Sequence, residues 1–386
     1  MGLESNIPKG WTRKTLGEVC KNISRRFNFK EKENVVFVNT GDVLNGKFLH
    51  HERVSKEGLP GQAKKAVEFG DILYSEIRPA NKRFALVDFD SKDYVVSTKF
   101  MVLKKNEDVD LDFLYLFLTS NKIIRAFQSH AEARSGTFPQ ITFDTISFDE
   151  ILTPPLPEQK AIAKVLTSFD DKIELLQAQN KTLETMAQTI FKEWFGKYQI
   201  GDELPEGWKV GVYGDLVDLS SGKGVKKKEY IENGKYEIIG ANGIIGRLNK
   251  FLVEERVIVT GRVGTLGTVF ILNHPCWISD NVLISKPLMD NSFYFSYFKL
   301  KSFNFSSLNT GSTQPLITQG DLKSIEIIIP NKSFLKEFEK VSTSFFEKIK
   351  NNNLAIQSLT KTRDTLLPKL MSGQVRVNNL KQTADA

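Results

Sequence analysis

Cysteine is almost absent from this 386-residue chain, which has only Cys20 and Cys276. Two thiols so far apart indicate neither a disulfide framework nor a cysteine-based zinc site, and both read as ordinary reduced thiols. Histidine is scarce too, and His50, His51, His130 and His274 lack the spacing of metal ligands. No apolar run approaches the roughly 20 residues that cross a bilayer, and the opening Met1 to Lys9 lacks the charged-then-apolar order of a leader. A soluble, cytoplasmic chain with no membrane partner is the expectation.

The signatures of catalysis are missing as well. Gly240 to Gly246 and Gly261 to Gly267 are glycine-rich but lack Gly-Lys-Ser/Thr and the G-x-G-x-x-G spacing, so they read as tight turns and not as nucleotide loops. No Asn-Pro-Pro-Tyr or Asp-Pro-Pro-Tyr tetrapeptide of an adenine methyltransferase occurs; Thr153-Pro154-Pro155-Leu156 has neither the amide or acid nor the aromatic. Asp149 with Glu158-Gln159-Lys160 imitates a nuclease metal site, yet Glu158 stands where a first-turn helix acid is expected anyway. No catalytic and no metal-binding residue is assigned.

What is present is a duplication. Ile7-Pro8-Lys9-Gly10-Trp11 returns as Leu204-Pro205-Glu206-Gly207-Trp208, and Leu16-Gly17-Glu18-Val19 as Tyr213-Gly214-Asp215-Leu216, both at a shift of 197. Gly136-Thr137-Phe138-Pro139-Gln140-Ile141-Thr142 answers Gly311-Ser312-Thr313-Gln314-Pro315-Leu316-Ile317-Thr318 with one residue inserted, after which the shift is 176. Ile151 to Pro154 then matches Ile327 to Pro330. Between these shared ends, β-branched and aromatic runs read as strands: Val35–Val38, Asp71–Ser75, Phe84–Val87 and Tyr94–Leu103, then Tyr236–Ile239, Val257–Thr260, Thr268–Leu272 and Val282–Ser285. Leu111 to Ser129 reads as a helix.

After each globular part comes a long helical tract. Ile162, Phe169, Leu176, Leu183 and Ile190 repeat every seven residues, and a shift of 176 gives Phe338, Phe345, Asn352, Leu359 and Leu366, apolar at every place but Asn352. Such a seam favours an antiparallel coiled coil over a helix packed on its own domain. Pro157 with Glu158 suits one helix start and Ser333 a cap for the other, while Gly196 and Gly373 suit the ends. The expected organisation is α+β with a pseudo-twofold repeat: 1–157 and 197–330 as mixed α/β domains, 158–196 and 331–373 as spacer helices, and 374–386 as a flexible tail. An antiparallel pair would put the two domains at opposite ends of a rod.

Charge says little by itself. The net +7 is concentrated in residues 331–386, with 10 basic against 5 acidic residues, whereas 158–199 and 200–330 balance. Any DNA-binding face on the globular parts must come from polarised placement and not from bulk basicity.

In this order, the opening Ile7-Pro8-x-Gly10-Trp11 and its copy, the exits Ser135-Gly136-x-x-x-Gln140-Ile141 and Gly311-x-x-Gln314-Pro315-x-Ile317, Pro154-Pro155-Leu156-Pro157-Glu158-Gln159-Lys160-Ala161-Ile162, and Leu366-Leu367-Pro368-Lys369-Leu370-Met371-Ser372-Gly373 span nearly the whole chain. The set resembles the specificity (HsdS) subunit of type I restriction-modification systems. That resemblance implies a non-catalytic DNA-recognition subunit. Its two target recognition domains would each read one half of a split double-stranded site, and its helices would act as ruler and docking surface. It also implies two methyltransferase (HsdM) subunits carrying S-adenosylmethionine for adenine N6 methylation, and restriction/translocase (HsdR) subunits using ATP and Mg. Half-sites about one helical turn, roughly 34 Å, apart suit a pseudo-twofold body.

Side chains able to read base edges or grip phosphate single out, in the first domain, Arg25, Arg26, Arg78, Lys82, Arg83, Arg134, Ser135, Thr137 and Gln140. In the second they are Lys223, Lys226, Lys227, Lys228, Asn242, Arg262, Thr265, Thr313 and Gln314. Two other readings compete: a coiled-coil scaffold with two non-DNA interaction domains, and a stand-alone DNA-modifying enzyme, which the missing motifs disfavour.

Overall fold

The computed structural model describes residues 7–134, 136–263, 266–308 and 316–377. It divides into two compact units, residues 1–175 with 355–386, and residues 176–354. Each unit therefore takes one globular part and half of both long helices.

In the first unit, a turn at Pro8 to Trp11, closed by Trp11 N–H donating to Pro8 O at 2.9 Å, sends the Trp11 ring into the core. Strand Thr12–Thr15 then pairs antiparallel with Glu150–Thr153, so the chain leaves the globular part beside the place it entered. The main antiparallel sheet has the order Cys20–Asn22, Phe100–Lys105, Ile72–Ser75, Phe84–Leu86. Ile72–Ser75 and most of Phe100–Lys105 are buried, as a continuous apolar run predicts for a central strand. A second sheet, Val54–Ser55, Asn34–Val38, Tyr94–Ser97, Ala63–Ala66, contains one parallel pair, between Asn34–Val38 and Tyr94–Ser97.

The second unit repeats this plan. Lys209–Val212 pairs with Glu326–Ile329, and a sheet ordered Val217–Ser221, Val282–Pro287, Val257–Gly261, Val269–Leu272 is antiparallel throughout. A three-stranded sheet of Gly243–Leu248, Tyr236–Gly240 and Cys276–Ile278 keeps the parallel pair between its last two members.

Three expectations need correction. The run Tyr94–Leu103 is two strands in different sheets: at Thr98 and Lys99 the backbone changes partners, Thr98 N–H donating to Gln62 O and Lys99 O accepting from Glu76 N–H. The helix expected from Leu111 to Ser129 is broken at Ser120, whose backbone is extended and whose hydroxyl donates to Phe117 O at 2.8 Å, giving Leu111–Thr119 and Asn121–Arg134. The cap of the second long helix is Asn331 and not Ser333. Its Oδ1 accepts from Phe334 N at 3.0 Å and from Ser333 Oγ at 2.8 Å.

The long helices, Leu156–Phe195 and Lys332–Met371, have 40 residues each, about 60 Å at 1.5 Å per residue. They run antiparallel within each unit. Arg363 pairs with Asp170 in the first, while Asn180 meets Asn353, and Phe191 meets Phe338, in the second. Ile162, Leu176 and Phe338 are buried; Phe169, Leu183, Ile190, Phe345, Leu359 and Leu366 are half-buried along the seam. Asn352, the polar member of the heptad series, is also buried. Its Nδ2 donates to Gln179 Oε1 at 2.9 Å and Asn180 Oδ1 at 2.8 Å. A buried amide whose partners exist in one register specifies that register more than it adds stability.

The two globular parts join their helices differently. In the first unit, Glu158 accepts from Trp11 Nε1 at 3.1 Å and holds the Arg376 guanidinium in a fork at 2.5 and 2.7 Å. In the second, the residue equivalent to Glu158 is Phe334, and Trp208 packs edge-on between it and Tyr198, with ring centroids 5.5 Å away in both cases. Also in the second unit, Glu184 accepts from Tyr297 Oη and Lys301 Nζ, both at 2.7 Å. Burial alone would raise this carboxyl, but the two donors outweigh it and hold it below its ordinary 4.5.

Arg376→Ala should destabilise the first unit by about 1.5–3 kcal/mol, the worth of hydrogen bonds to a charged partner, read as a lower denaturant midpoint at unchanged slope. Because the folded pKa of Glu184 is depressed, its stabilisation is present above the unfolded value and lost as pH falls through the folded one. Glu184→Gln should accordingly flatten the acid side of a plot of melting temperature against pH.

Candidate nucleic-acid interface

In the first unit the chain leaves strand Ile72–Ser75 through a tight basic turn. Arg78 (φ 43°, ψ 76°) and Lys82 (φ 53°, ψ 42°) flank a 3-10 turn at Pro79–Asn81, both in the left-handed region. Each such non-glycine residue costs about 1–2 kcal/mol, and strain of this kind concentrates at functional sites. Neighbours hold it: Ala80 N–H donates to Gln128 Oε1 at 3.0 Å, and Lys82 O accepts from Asn45 N–H at 2.7 Å.

A strap then lies along the turn. Arg78 N–H donates to Pro139 O at 3.1 Å, Ile141 N–H to Glu76 O at 2.9 Å, and Ile77 bridges Gln140. The Gly136 to Ile141 motif is thus an added edge on the exit of the central strand, and it brings Pro139 against Arg78 and Gln140 against Ile77. Thr137, Phe138 and Arg134 are exposed and Gln140 is half-buried. The second unit uses the same joint: Val263 bridges Leu316, and Ile317 N–H donates to Arg262 O at 3.0 Å. This pairing is the physical reason that the exit motif recurs.

The structure separates the basic candidates into different roles. Arg78 and Arg26 are exposed, and Lys82 Nζ donates to Asn121 Oδ1 at 3.4 Å. Arg83 is committed to the fold: its Nη1 donates to Gly41 O at 2.8 Å and Val43 O at 2.9 Å. Arg25 is committed as well, forked onto Asp71 at 2.8 and 3.0 Å and touching Glu68 at 2.8 Å. Asp71 is buried, which pushes its carboxyl up, and the Glu68 amide and Arg25 offset that only in part. Arg25 and Arg83 are thus both engaged by the fold, the first by Asp71 and Glu68 and the second by the Gly41 and Val43 carbonyls. Arg134 Nη1 comes within 3.5 Å of Thr142 Oγ1.

In the second unit, Lys223 and Lys226 to Lys228 are exposed, the latter on a turn whose Lys226 N–H donates to Glu229 Oε1 at 3.1 Å. Lys223 O accepts the Trp277 indole N–H at 2.7 Å, which fixes the start of that loop. Asn242 is exposed at the tip of the Tyr236–Gly240 and Gly243–Leu248 hairpin, where Gly243 has φ 113°. Arg262 is half-buried at the strap, and its Nη1 donates to Ser221 Oγ at 3.0 Å. Ser135, Thr265, Thr313 and Gln314 lie outside the described residues.

The residues that could have signalled an enzyme are engaged elsewhere. Asp149 meets His130 Nε2 at 3.1 Å, while Glu158 serves Trp11 and Arg376. Gln159, buried, accepts from Asp110 N–H at 2.8 Å and donates to Pro154 O at 2.9 Å. Burial pushes the Cys20 thiol up to about 12 and Cys276 up to about 11, so neither is a ready nucleophile. Among the described residues, no group of His, Cys, Asp or Glu is placed to hold a metal, and no helix is long and apolar enough to cross a membrane.

The family model for the type I restriction modification DNA specificity domain matches this chain twice, over residues 8–185 and 205–362. The chain belongs to that family. A type I restriction enzyme HindI specificity subunit from Haemophilus influenzae is 34% identical, the match covering 95% of this chain and 99% of that one. The MjaIX specificity subunit from Methanocaldococcus jannaschii is 26% identical over 97% and 95%. The crystal structure of the type I S subunit from M. genitalium superposes with a TM-score of 0.57, covering 96% of this chain and 98% of that one at 20% identity, a likeness of fold. Each family match begins at a Pro-x-Gly-Trp turn and runs well into the helix that follows, so the unit of duplication is a specificity domain with its helix.

For this specificity subunit, strain at Arg78 and the clamp at Arg83 predict opposite outcomes. Arg78→Gly should stabilise the first unit by about 1 kcal/mol by removing the left-handed penalty, while weakening DNA binding. Arg83→Ala should destabilise it by about 1.5–3 kcal/mol. Paired denaturation and gel-shift titrations distinguish the two.

Proposed function

We propose that this specificity subunit reads a split double-stranded DNA target, one half through each globular part, and supplies no catalytic group itself. The observation that carries this is the frame built twice with different corners. Strand exit, strap and short helix repeat, yet Glu76 in one copy answers Arg262 in the other, and Phe143 answers Gln319. Two readers of unlike half-sites need a shared scaffold and unlike contact residues.

Within each reader the work divides by chemistry. Lys226, Lys227 and Lys228, exposed on a surface turn, suit phosphate gripping, as do Arg26, Lys82 and Lys223; Asn242, Gln140, Thr137 and Arg78 suit base edges or register. We assign methyl transfer to two partner modification subunits carrying S-adenosylmethionine, and ATP- and Mg-dependent translocation and cleavage to restriction subunits. What supports the assignment is that the relative from Haemophilus influenzae is the specificity subunit of a type I restriction enzyme, and that this chain lacks the sequence motifs for either reaction.

Sequencing methylated adenines in cells carrying this chain with its modification subunits should reveal one bipartite motif. An unmethylated genome would overturn the proposal. Replacing Lys226, Lys227 and Lys228 by alanine should weaken binding to all duplexes alike and reduce the slope of log affinity against log salt by up to about 2.7.

A further inference from the structure

Six arginines are half-buried: Arg25, Arg83, Arg247, Arg262, Arg363 and Arg376. Four face carboxylates, namely Asp71, Glu237, Asp170 and Glu158, and Arg83 is clamped by two backbone carbonyls. Arg262 differs from all five. Its side chain donates to the neutral hydroxyl of Ser221, and its Nε is buried with no partner among the described residues. A partly buried guanidinium with no carboxylate partner among the described residues is an unusual arrangement in a folded chain.

Arg262 is also held unusually firmly. Its N–H donates to Asn281 O at 3.0 Å and its carbonyl accepts from Ile317 N–H at 3.0 Å, so the backbone is pinned from two sides. Ser221 fixes the side chain, and Gln319 fixes Ser221. With its amide turned so that both ends are satisfied, Gln319 accepts from Ser221 N at 3.2 Å and Oγ at 2.9 Å, and donates to Leu219 O at 3.1 Å. A hydrogen-bonded chain thus runs from Arg262 through Ser221 and Gln319 to the sheet, and none of its members carries a negative charge.

We infer that Arg262 is the guanine-reading residue of the second unit, and that Ser221 and Gln319 are its positioning residues. Guanine offers the two acceptors O6 and N7 on one edge, which a fork of N–H donors matches, and this is the commonest specific contact in the major groove. A phosphate grip has no need of such rigidity and can be made by exposed lysines such as those at 226 to 228, whereas a base contact must be held to a fraction of an ångström. In the first unit the equivalent corner carries Glu76, an acceptor, so this particular guanine contact has no counterpart at that corner. The inference rests on the proposed DNA-reading function.

The test uses the complete complex with its modification subunits on a randomised duplex library, sequencing the methylated products. Arg262→Ala and Arg262→Lys should each make one guanine in one half-site degenerate, with discrimination falling roughly ten- to hundred-fold and the other half-site unchanged. Ser221→Ala and Gln319→Ala should give partial loss at that same position. Arg262→Lys and Ser221→Ala keep charge or volume, so they decide the matter if Arg262→Ala folds poorly. Variants that methylate the wild-type motif, only more slowly, would overturn the inference and make Arg262 a phosphate or structural contact. Degeneracy at a base other than guanine would overturn it too. A wild-type complex with no bipartite motif would sink the DNA-reading proposal itself, which is a separate failure.

Discussion

Each globular part has to return to its own starting point, and the four-residue ladder that makes it do so governs the rest of the structure. Thr12–Thr15 pairs with Glu150–Thr153, and Lys209–Val212 with Glu326–Ile329, in both cases antiparallel and immediately ahead of a 40-residue helix. Because entrance and exit are clamped, the chain between them can change in length and composition without disturbing where the helix begins. The first part uses this freedom for an extra hairpin at Val43–Phe48 and a helix at Asn121–Arg134, neither of which recurs among the described residues of the second.

Electrostatics follow the same division. Most half-buried arginines are neutralised by carboxylates that hold the frame, whereas Lys223 and Lys226 to Lys228 stand exposed on the surface. The fold therefore uses its cations twice over, and sequence position alone does not tell which use applies. Arg25 and Arg83 look as available as Arg26 or Arg78 along the chain, yet two are structural and two are exposed.

That contrast explains how much could be read beforehand. The duplication, its shifts of 197 and 176, the heptad seam and most strand positions are local patterns of residue type, and the structure places them where periodicity does. What escaped were partners far away in sequence: Asp71 for Arg25, 46 residues on, and Glu158 for Arg376, 218 residues away. The split of Tyr94–Leu103 escaped for a related reason, since the apolar pattern continues across Thr98 while the hydrogen-bonding neighbour changes. Ser221 and Gln319 left no mark at all, because a hydroxyl and an amide become informative only once Arg262 is beside them.

The two joints between globular part and helix occupy equivalent places but rest on different forces. One is an indole N–H held by a carboxylate that also grips a guanidinium, the other a mostly edge-on cluster of four aromatic rings, Phe195, Tyr198, Trp208 and Phe334. Salt screens the first and leaves the second untouched or strengthened, while cooling weakens ring burial more than ion pairing. Two joints at equivalent places therefore weaken under opposite conditions, one with rising salt and the other with cooling, so no single change of environment loosens both.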